Sequence, residues 1–369
     1  MHRRRSRFLL AGLALIAGAC GADDGALSAT AAPIARPAAR TVPPAGTTTP
    51  STTSMAAGSA AAAAAHELTR LGRPLKLGGA AWRISEGFGG LWVQVDPPVD
   101  QMVKIDATSG DVTLTVDAAT SAAEGDGGMW ITRGGQTTEK IDPQTGAVLV
   151  TVPTPGAYYV AVGADGVWVP SETGVTRIDP ATGAVVASIP LAQGASDLEV
   201  GDGSLWVAHK DQGTVTRIDA ATNTVVAEIA TGAGAHDMLI DENGVWVANY
   251  RANTVSRIDP RTNTVVATVE GVGSGVGITS GDDGQVYVSV RERGIARINP
   301  DTNEATVVVT LPEWNYGLAD VDGVLWVSSV DKGVLYRFAD PRFTARRPAP
   351  PPSHPARVRD RPAGVVRVT

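Results

Sequence analysis

Two histidines are the residues in the central part of the chain best suited to chemistry. His209 and His236 are the only histidines between residues 77 and 340, and Asp237 directly follows the second of them. With Asp197 as a further carboxylate, they can bind a metal ion or act as general acid and base. The alternative is that they are two unrelated surface histidines.

A second group of candidates combines aromatic rings with polar side chains. Such a combination suits a sugar, a peptide or a flat ligand. The alternative is that these side chains only fill space inside the fold. The ligand-binding candidates are Trp82, Arg133, Tyr158, Tyr159, Asp197, His209, His236, Asp237, Tyr250, Trp314 and Tyr316.

An internal repeat must position these residues. One aromatic residue recurs at spacings of 38 to 41 residues, and a Lys/Arg-Ile-Asp/Asn motif recurs between its copies. A period near 40 indicates stacked supersecondary units. The repeated aromatics are Trp92, Trp130, Trp168, Trp206, Trp246, Tyr287 and Trp326.

The repeat unit has the pattern of β-strands. Short runs rich in Val, Thr and Ile alternate with two kinds of turn, and no helical period is present. The turn "DPxT[GN]" places Pro where a type I turn favours it, and its Gly or Asn supplies the left-handed residue of a bulged hairpin. Seven units of four antiparallel strands predict an all-β, seven-bladed β-propeller, in which the repeated Trp packs between blades.

The seventh unit lacks its outermost strand. The run "RPLKL" at 73–77 can supply that strand and close the ring, and the C-terminal run "GVVRVT" is the alternative. The N-terminal run is favoured because it stands just before the first blade.

The repeat is copied unevenly. We number the strands of a blade outward from the channel. The turns from first to second strand and from third to fourth are copied most faithfully, and they emerge on one face, here called the turn face. The second-to-third loops and the connections between blades differ in every copy and emerge on the opposite face, here called the mouth. Because variable loops on a rigid scaffold usually carry binding residues, we expect function at the mouth.

The two ends of the chain are distinct from the repeat. A basic start and a twelve-residue apolar run precede Cys20, the chain's single cysteine, which indicates a signal peptide at 1–20. The stretch before Cys20 resembles a lipobox, with Ala17 where Leu is preferred, so we expect lipidation of Cys20. The alternative is an ordinary signal with an incidental cysteine. An Ala/Thr/Pro-rich linker at 21–66, the propeller at 67–340 and a Pro/Arg-rich, disordered tail at 341–369 complete the predicted organisation.

Charge is distributed unequally along the chain. The net charge of −7 combines about +6 in residues 1–76, about +6 in residues 341–369 and about −19 between them. An acidic body argues against nucleic-acid binding, which depends on cations placed at phosphates. We expect a monomer outside the cytoplasm, at the cell surface or in the periplasm, anchored to the membrane by its lipid.

The phrase "VWVANYRANTVSRIDPRTNTVVATV" resembles the YVTN-type repeats of exported bacterial proteins and the virginiamycin B (streptogramin) lyase-like propellers. There is no Trp-Asp ending, which disfavours a WD40 protein. The lyase resemblance implies an Mg²⁺-dependent C–O lyase that uses histidines and a glutamate from neighbouring blades, and His209 and His236 loosely match them. No blade has Glu at the third position after its aromatic; Glu172 stands one residue further along, on a different blade.

The sequence therefore predicts a non-catalytic binding module of the cell envelope. Its expected partners are a small molecule, a glycan or an envelope protein, and no cofactor or metal is expected. The alternative is the lyase, with Mg²⁺ and the two histidines at the mouth.

Overall fold

The computed structural model describes residues 68–98, 100–163, 166–341 and 366–368. The regular elements whose bounds lie within these ranges are all β-strands. The strands form seven sheets, one for each copy of the repeat, which confirms the predicted seven-bladed propeller. The predicted signal peptide, Cys20, the linker and most of the tail lie outside the described residues. No helix long and apolar enough to cross a membrane occurs in the described ranges.

Each blade takes four strands that follow one another outward from the channel. The inner strands are β3 (Ala81–Gly87), β7 (Ala119–Gly125), β11 (Ala161–Gly163), β15 (Asp197–Gly201), β19 (Ala235–Asp241), β23 (Gly275–Ser280) and β27 (Asn315–Val321). The second strands are β4 (Gly90–Val95), β8 (Gly128–Arg133), β12 (Gly166–Ser171), β16 (Ser204–His209), β20 (Gly244–Asn249), β24 (Val286–Val290) and β28 (Val324–Ser329). The third strands are β5 (Gln101–Asp106), β9 (Thr137–Ile141), β13 (Gly174–Ile178), β17 (Thr214–Asp219), β21 (Thr254–Asp259), β25 (Gly294–Asn299) and β29 (Val334–Ala339). The outer strands of blades one to six are β6 (Val112–Asp117), β10 (Val148–Pro153), β14 (Val185–Pro190), β18 (Thr224–Ala230), β22 (Thr264–Val269) and β26 (Glu304–Thr310).

The N-terminal part of the chain closes the ring. Two short strands, β1 (Thr69–Arg70) and β2 (Leu75–Lys76), both pair antiparallel with β29 and complete blade seven. The prediction that "RPLKL" supplies the missing strand is therefore confirmed. The C-terminal run has another place, because β30 (Val366–Val368) pairs parallel with β6 on the outside of blade one.

The repeated tryptophans form the core between the blades. Trp168 packs with Leu205 and Val207 of the next blade, and all three side chains are fully buried. Burying an aromatic side chain of about 200 Å² contributes on the order of 5 kcal/mol to the free energy of unfolding. The prediction that these tryptophans are structural is confirmed.

A cation on the third strand ties each central blade to the next one. The guanidinium of Arg257 lies over the ring of Trp246 at 5.0 Å and donates a hydrogen bond to the carbonyl oxygen of Pro300 at 2.7 Å. Arg177 and Arg217 make equivalent contacts in the two preceding blades. This tie explains why the tryptophan, the arginine and the turn are copied together.

The turns of the turn face are closed by aspartates. In blade three the Oδ1 atom of Asp179 accepts hydrogen bonds from the Thr182 hydroxyl and the Thr182 backbone N–H, both at 2.7 Å. These bonds lower the pKa of Asp179. Gly183 then adopts the left-handed conformation with a φ of 71°, beside a bulge in the ladder. The predicted bulged hairpin is confirmed.

Candidate functional site

Each blade contributes one residue to a ring across the channel, from its inner strand or, for Tyr159 in blade three, from just before that strand. Alternate residues of a strand face the same side, so equivalent positions in the blades meet around the axis. These positions hold five residue types, although the strands around them are copies. The ring consists of Arg83, Ser121, Tyr159, Asp197, Asp237, Gly277 and Gly317.

Two glycines of this ring make the channel asymmetric. A Cβ atom at Gly277 would lie 2.2 Å from the carbonyl oxygen of Tyr316, and one at Gly317 would lie 2.6 Å from the carbonyl oxygen of Trp82. The backbones of blades six, seven and one therefore approach more closely than larger residues would allow. This approach brings the rings of Trp82 and Tyr316 to 5.1 Å from each other.

Arg83 crosses the channel to two carboxylates on other blades. Its Nη1 atom lies 3.4 Å from Oδ1 of Asp197 and 3.7 Å from Oδ1 of Asp237. The other oxygens of these two carboxylates accept backbone N–H bonds from Met238 at 3.1 Å and Ile278 at 3.0 Å. Each aspartate therefore joins the arginine to the backbone of the next blade.

Burial controls the protonation of these carboxyl groups. It raises the pKa of Asp197 to about 8; repulsion from Asp237 acts in the same direction and Arg83 opposes both. Burial likewise raises the pKa of Asp237, again against Arg83. Glu199 stands two residues after Asp197 and has a pKa well above its ordinary value for the same reason. The channel interior is therefore less negative than its carboxyl groups suggest.

Arg83, which crosses the channel, lies between two cavities. A cavity of about 250 Å³ at the mouth is bounded by Trp82, Tyr158, Gln94, Asp96 and Thr120. The channel cavity beneath it has a volume of about 400 Å³ and includes Asp197, Glu199 and Asp237. Three residues line both cavities, namely Arg83, Tyr159 and Tyr316. The mouth cavity joins second-strand ends with inner-strand starts, as the predicted mouth requires.

An aromatic wall continues from the mouth cavity towards blades five and six. Trp82 contacts Trp314 edge-to-face with ring centroids 5.2 Å apart. The guanidinium of Arg291 lies 4.3 Å from the centroid of Trp314 and donates a hydrogen bond to Oη of Tyr250 at 3.0 Å. Predicted residues from three blades are thus brought together here.

His236 belongs to this wall. Its Nε2 atom lies 3.3 Å from Oη of Tyr316, and its ring centroid lies 6.3 Å from that of Tyr250. Burial, together with the charges of Arg83 and Lys210, lowers the pKa of His236 to about 3. The imidazole is therefore neutral at neutral pH and serves as a polar aromatic surface.

His209 ends β16 at the mouth, but its side chain does not line the mouth cavity, so this part of the site prediction is wrong. Its side chain is buried, with Nδ1 3.0 Å from the Gly194 carbonyl oxygen and Nε2 2.8 Å from the Thr216 hydroxyl. Because a carbonyl only accepts, Nδ1 carries the proton and Nε2 accepts from Thr216. Both ring nitrogens are thereby used inside the fold, and burial lowers the pKa of His209.

These residues do not fit the Mg²⁺ site that the lyase resemblance implies. His209 has no free lone pair to offer a metal ion. In the part of the chain that the structure describes, no group of three or more His, Cys, Asp and Glu side chains is placed to hold a metal. No metal-dependent step can therefore be derived from this arrangement.

Arg133 is also held within the scaffold. Its Nε atom pairs with Glu139 at 2.9 Å, and its Nη1 atom donates to the Asp117 carbonyl oxygen. Sequence reasoning instead left Arg83 and Glu199 out of the site. The signal for Arg83 was present, because it stands next to Trp82 at the ring position that holds Asp197 and Asp237 in other blades.

Comparisons with known proteins support the fold. No protein-family model and no curated protein matches the chain. The chain is similar to a catalytically inactive virginiamycin B lyase from Staphylococcus aureus with quinupristin, with a TM-score of 0.63 and 15% identity over 74% of this chain and 99% of that one. It is also similar to the Pan2 WD40 domain of Neurospora crassa, with a TM-score of 0.63 and 12% identity over 75% and 96%.

A third similar structure is the WD40 β-propeller domain of Doa1, with a TM-score of 0.61 and 13% identity over 75% of this chain and 97% of that one. The fold is therefore one that both an enzyme and WD40 domains use, and it does not by itself decide between catalysis and binding. The resemblance to the streptogramin lyase propellers is confirmed at the level of the fold.

Proposed function

We propose that the protein is a non-catalytic binding module of the cell envelope whose ligand enters the mouth of the propeller. The observation that carries this proposal is the mouth cavity above Arg83, where Trp82, Tyr158, Tyr159 and Tyr316 converge from three blades. A rigid concave surface of aromatic and polar side chains is the usual form of a small-ligand site.

A saccharide unit is the ligand that this lining favours. Aromatic faces pack against the C–H surface of a sugar ring, and Gln94, Asp96 and Thr120 offer donors and acceptors for its hydroxyl groups. The cavity of about 250 Å³ suits one ring better than an extended chain. A peptide or an envelope protein remains the competing partner class.

Tyr158 is the accessible edge of the proposed site. It is 54% exposed and is the only aromatic among the exposed large apolar side chains of the described residues. Its ring covers Gly135, where a Cβ atom would lie 2.6 Å from the ring. The tyrosine is thus held in place while one side remains open to a ligand.

A glycan array probed with the purified chain tests the proposal, followed by calorimetric titration of any saccharide that binds. Tyr158→Ala should weaken binding about fivefold, because an aromatic contact of this kind contributes about 1 kcal/mol. Val186→Ala is the matched control, since Val186 is also 54% exposed but lies on an outer strand. Binding that Tyr158→Ala leaves unchanged rejects the site, and binding of peptides but of no glycan rejects the saccharide.

Attachment to the membrane through Cys20 is a separate part of the proposal. The basic start, the apolar run and the single cysteine support it. Metabolic labelling with a radioactive fatty acid should label the full chain and not Cys20→Ser. Equal labelling of both chains would exclude this anchor.

The streptogramin lyase is the second candidate function, and the structural likeness to virginiamycin B lyase favours it. Of the two histidines in the described part of the chain, only His236 borders the aromatic wall. Incubation with quinupristin and Mg²⁺ should leave the antibiotic intact if the protein only binds. Loss of quinupristin that His236→Ala abolishes would favour the enzyme instead.

A further inference from the structure

The outer edge of blade one carries an additional strand. In parallel register, β30 places Val366 beside Leu114 and Val368 beside Val116. The outer strands of blades two to six have no further strand beside them within the described residues. Among the described strands there are therefore one covered edge and five edges with no strand beside them.

The covered edge and that of blade two have nearly the same side chains. Leu114, Thr115 and Val116 of β6 correspond in register to residues 150–152 of β10, which read Val-Thr-Val. Thr115 is 7% exposed beneath β30, whereas Thr151 is exposed. The edge of β10 thus offers the surface that β6 has already buried.

The outer wall carries the exposed apolar surface of the molecule. Eight of the nine exposed large apolar side chains in the described residues lie on outer strands. The exposed apolar surface is therefore on the outside of the blades and not at the mouth. On β10, Val148 is 45% exposed and Leu149 is 55% exposed. An apolar strand with unpaired backbone groups is a template for another strand.

We propose that β10 is a docking edge for the C-terminal strand of a second copy of this chain. Among the described residues, that strand is the one β-strand that pairs with the outer strand of a four-stranded blade, and β10 repeats the surface on which it lies. The tail is also drawn to another copy by charge, because residues 341–369 carry about +6 and the body about −19.

The outer strands of the other blades are less suitable for pairing with this strand. The position of Thr151 is held by Ser188 in β14 and by the acidic Glu228 in β18. In β22 it is Thr268, but the preceding position is Ala267 and not Val. In β26 the position of Thr151 is held by Val307, but Thr306 precedes it, and the carbonyl oxygen of Val308 already accepts a backbone hydrogen bond from Leu68. Of these edges, β10 therefore combines branched apolar side chains with an edge that carries no such bond.

The docking should be weak and dependent on concentration. A strand of three residues makes few backbone hydrogen bonds, each of which contributes about 1 kcal/mol. Each tail strand must first leave β6 of its own chain, which weakens the docking further. Reciprocal exchange of the two tails supplies a second contact by two-fold symmetry, and this second contact forms within the pair without a further loss of translational freedom.

Sedimentation of the full chain from about 1 µM to about 1 mM tests the proposal, with a dimer expected at the upper end. The double variant Val366→Pro with Val368→Pro removes two N–H donors from the tail strand and should remain monomeric. Leu149→Lys with Thr151→Lys should also remain monomeric, because the charges repel the basic tail. The matched control, Val186→Lys with Ser188→Lys on β14, should dimerise as the natural chain does.

A peptide with the sequence of residues 361–369 provides a measurement without any change to the protein. Added in excess, it should convert the dimer to monomer, and the same peptide with proline at 366 and 368 should not. A chain that stays monomeric up to about 1 mM overturns the proposal. So does a dimer that persists when the tail prolines, the β10 lysines or the peptide are introduced.

Discussion

The turn face and the mouth of the propeller both depend on arginine, but they use it differently. Arg257 stacks on Trp246 of its own blade and binds the carbonyl oxygen of the neighbouring turn. Arg83 stacks on Tyr159 at 4.3 Å and pairs with Asp197 on the far side of the channel. The first arrangement recurs in successive blades, whereas the second occurs once in the ring.

This difference distinguishes contacts that pack neighbouring blades together from contacts that occur at one place in the molecule. A contact between neighbouring blades must recur because each blade meets the next in the same way, so its residues are copied. The contact across the channel joins blades one, four and five. It needs one arginine and two aspartates at equivalent positions of different blades, so these positions cannot hold the same residue. The positions where the repeat is not copied therefore identify the asymmetric part of the molecule. A single ligand site in a ring of similar blades requires such asymmetry.

The largest loss of stability is expected for a tryptophan of the core, compared with one at the mouth. Trp206→Ala should lower the free energy of unfolding by about 4 kcal/mol, because it leaves a cavity between two blades. Trp82→Ala removes a half-buried ring at the mouth and should cost about 1 kcal/mol while reducing ligand binding. Guanidinium unfolding measures both. Equal losses of stability would remove the distinction between scaffold and mouth.

The next effect depends on pH and concerns Arg83→Met. Burial raises the pKa of Asp197 to about 8 in the folded chain, so this group stabilises the fold fully below its unfolded pKa of about 4, and that stability is lost as the pH rises to about 8. Arg83 limits the loss by pairing with the charged form. The variant should therefore lose about 3 kcal/mol at pH 10, two units above that pKa at about 1.4 kcal/mol per unit, and much less at pH 5.

Unfolding of both chains by guanidinium at the two pH values checks this prediction. Asp197→Asn with Arg83→Met is the control, because it removes the buried charge together with its partner. If the single variant loses equal stability at pH 5 and pH 10, Arg83 acts through packing alone.

Substitution of the two histidines should have smaller effects, and it tests whether His236 belongs to the site and His209 does not. His209→Ala removes two buried hydrogen bonds and should cost about 2 kcal/mol without changing binding at the mouth. His236→Ala should weaken binding instead, since it removes a ring from the wall beside Tyr316. Thermal unfolding and titration with the same ligand separate the two. A His209→Ala chain that keeps its stability and loses binding would restore His209 to the site.

The fold could be predicted because the repeat reports local rules. The Trp spacing, the "DPxT[GN]" turns and the uncopied loops each follow from contacts that recur in every blade. The site was predicted less completely because its geometry depends on positions related across the ring. Arg83 pairs with Asp197, 114 residues away, and nothing in the repeat links them. His209 was misplaced because the sequence does not show that the Gly194 carbonyl and the Thr216 hydroxyl use its ring nitrogens.

The smallest effect concerns the left-handed turn residue of blade six. Asn303 has a φ of 57° and accepts a hydrogen bond from Arg257 at 3.3 Å, while blades two and three have Gly146 and Gly183 at the same place. Asn303→Gly keeps the backbone conformation, so the free energy of unfolding should change by about 0.5 kcal/mol or less. Asn303→Val forces a β-branched residue into this region and should cost about 2 kcal/mol. If chemical unfolding shows that glycine costs as much as valine, the side chain of Asn303, and not the turn conformation, is what the repeat preserves there.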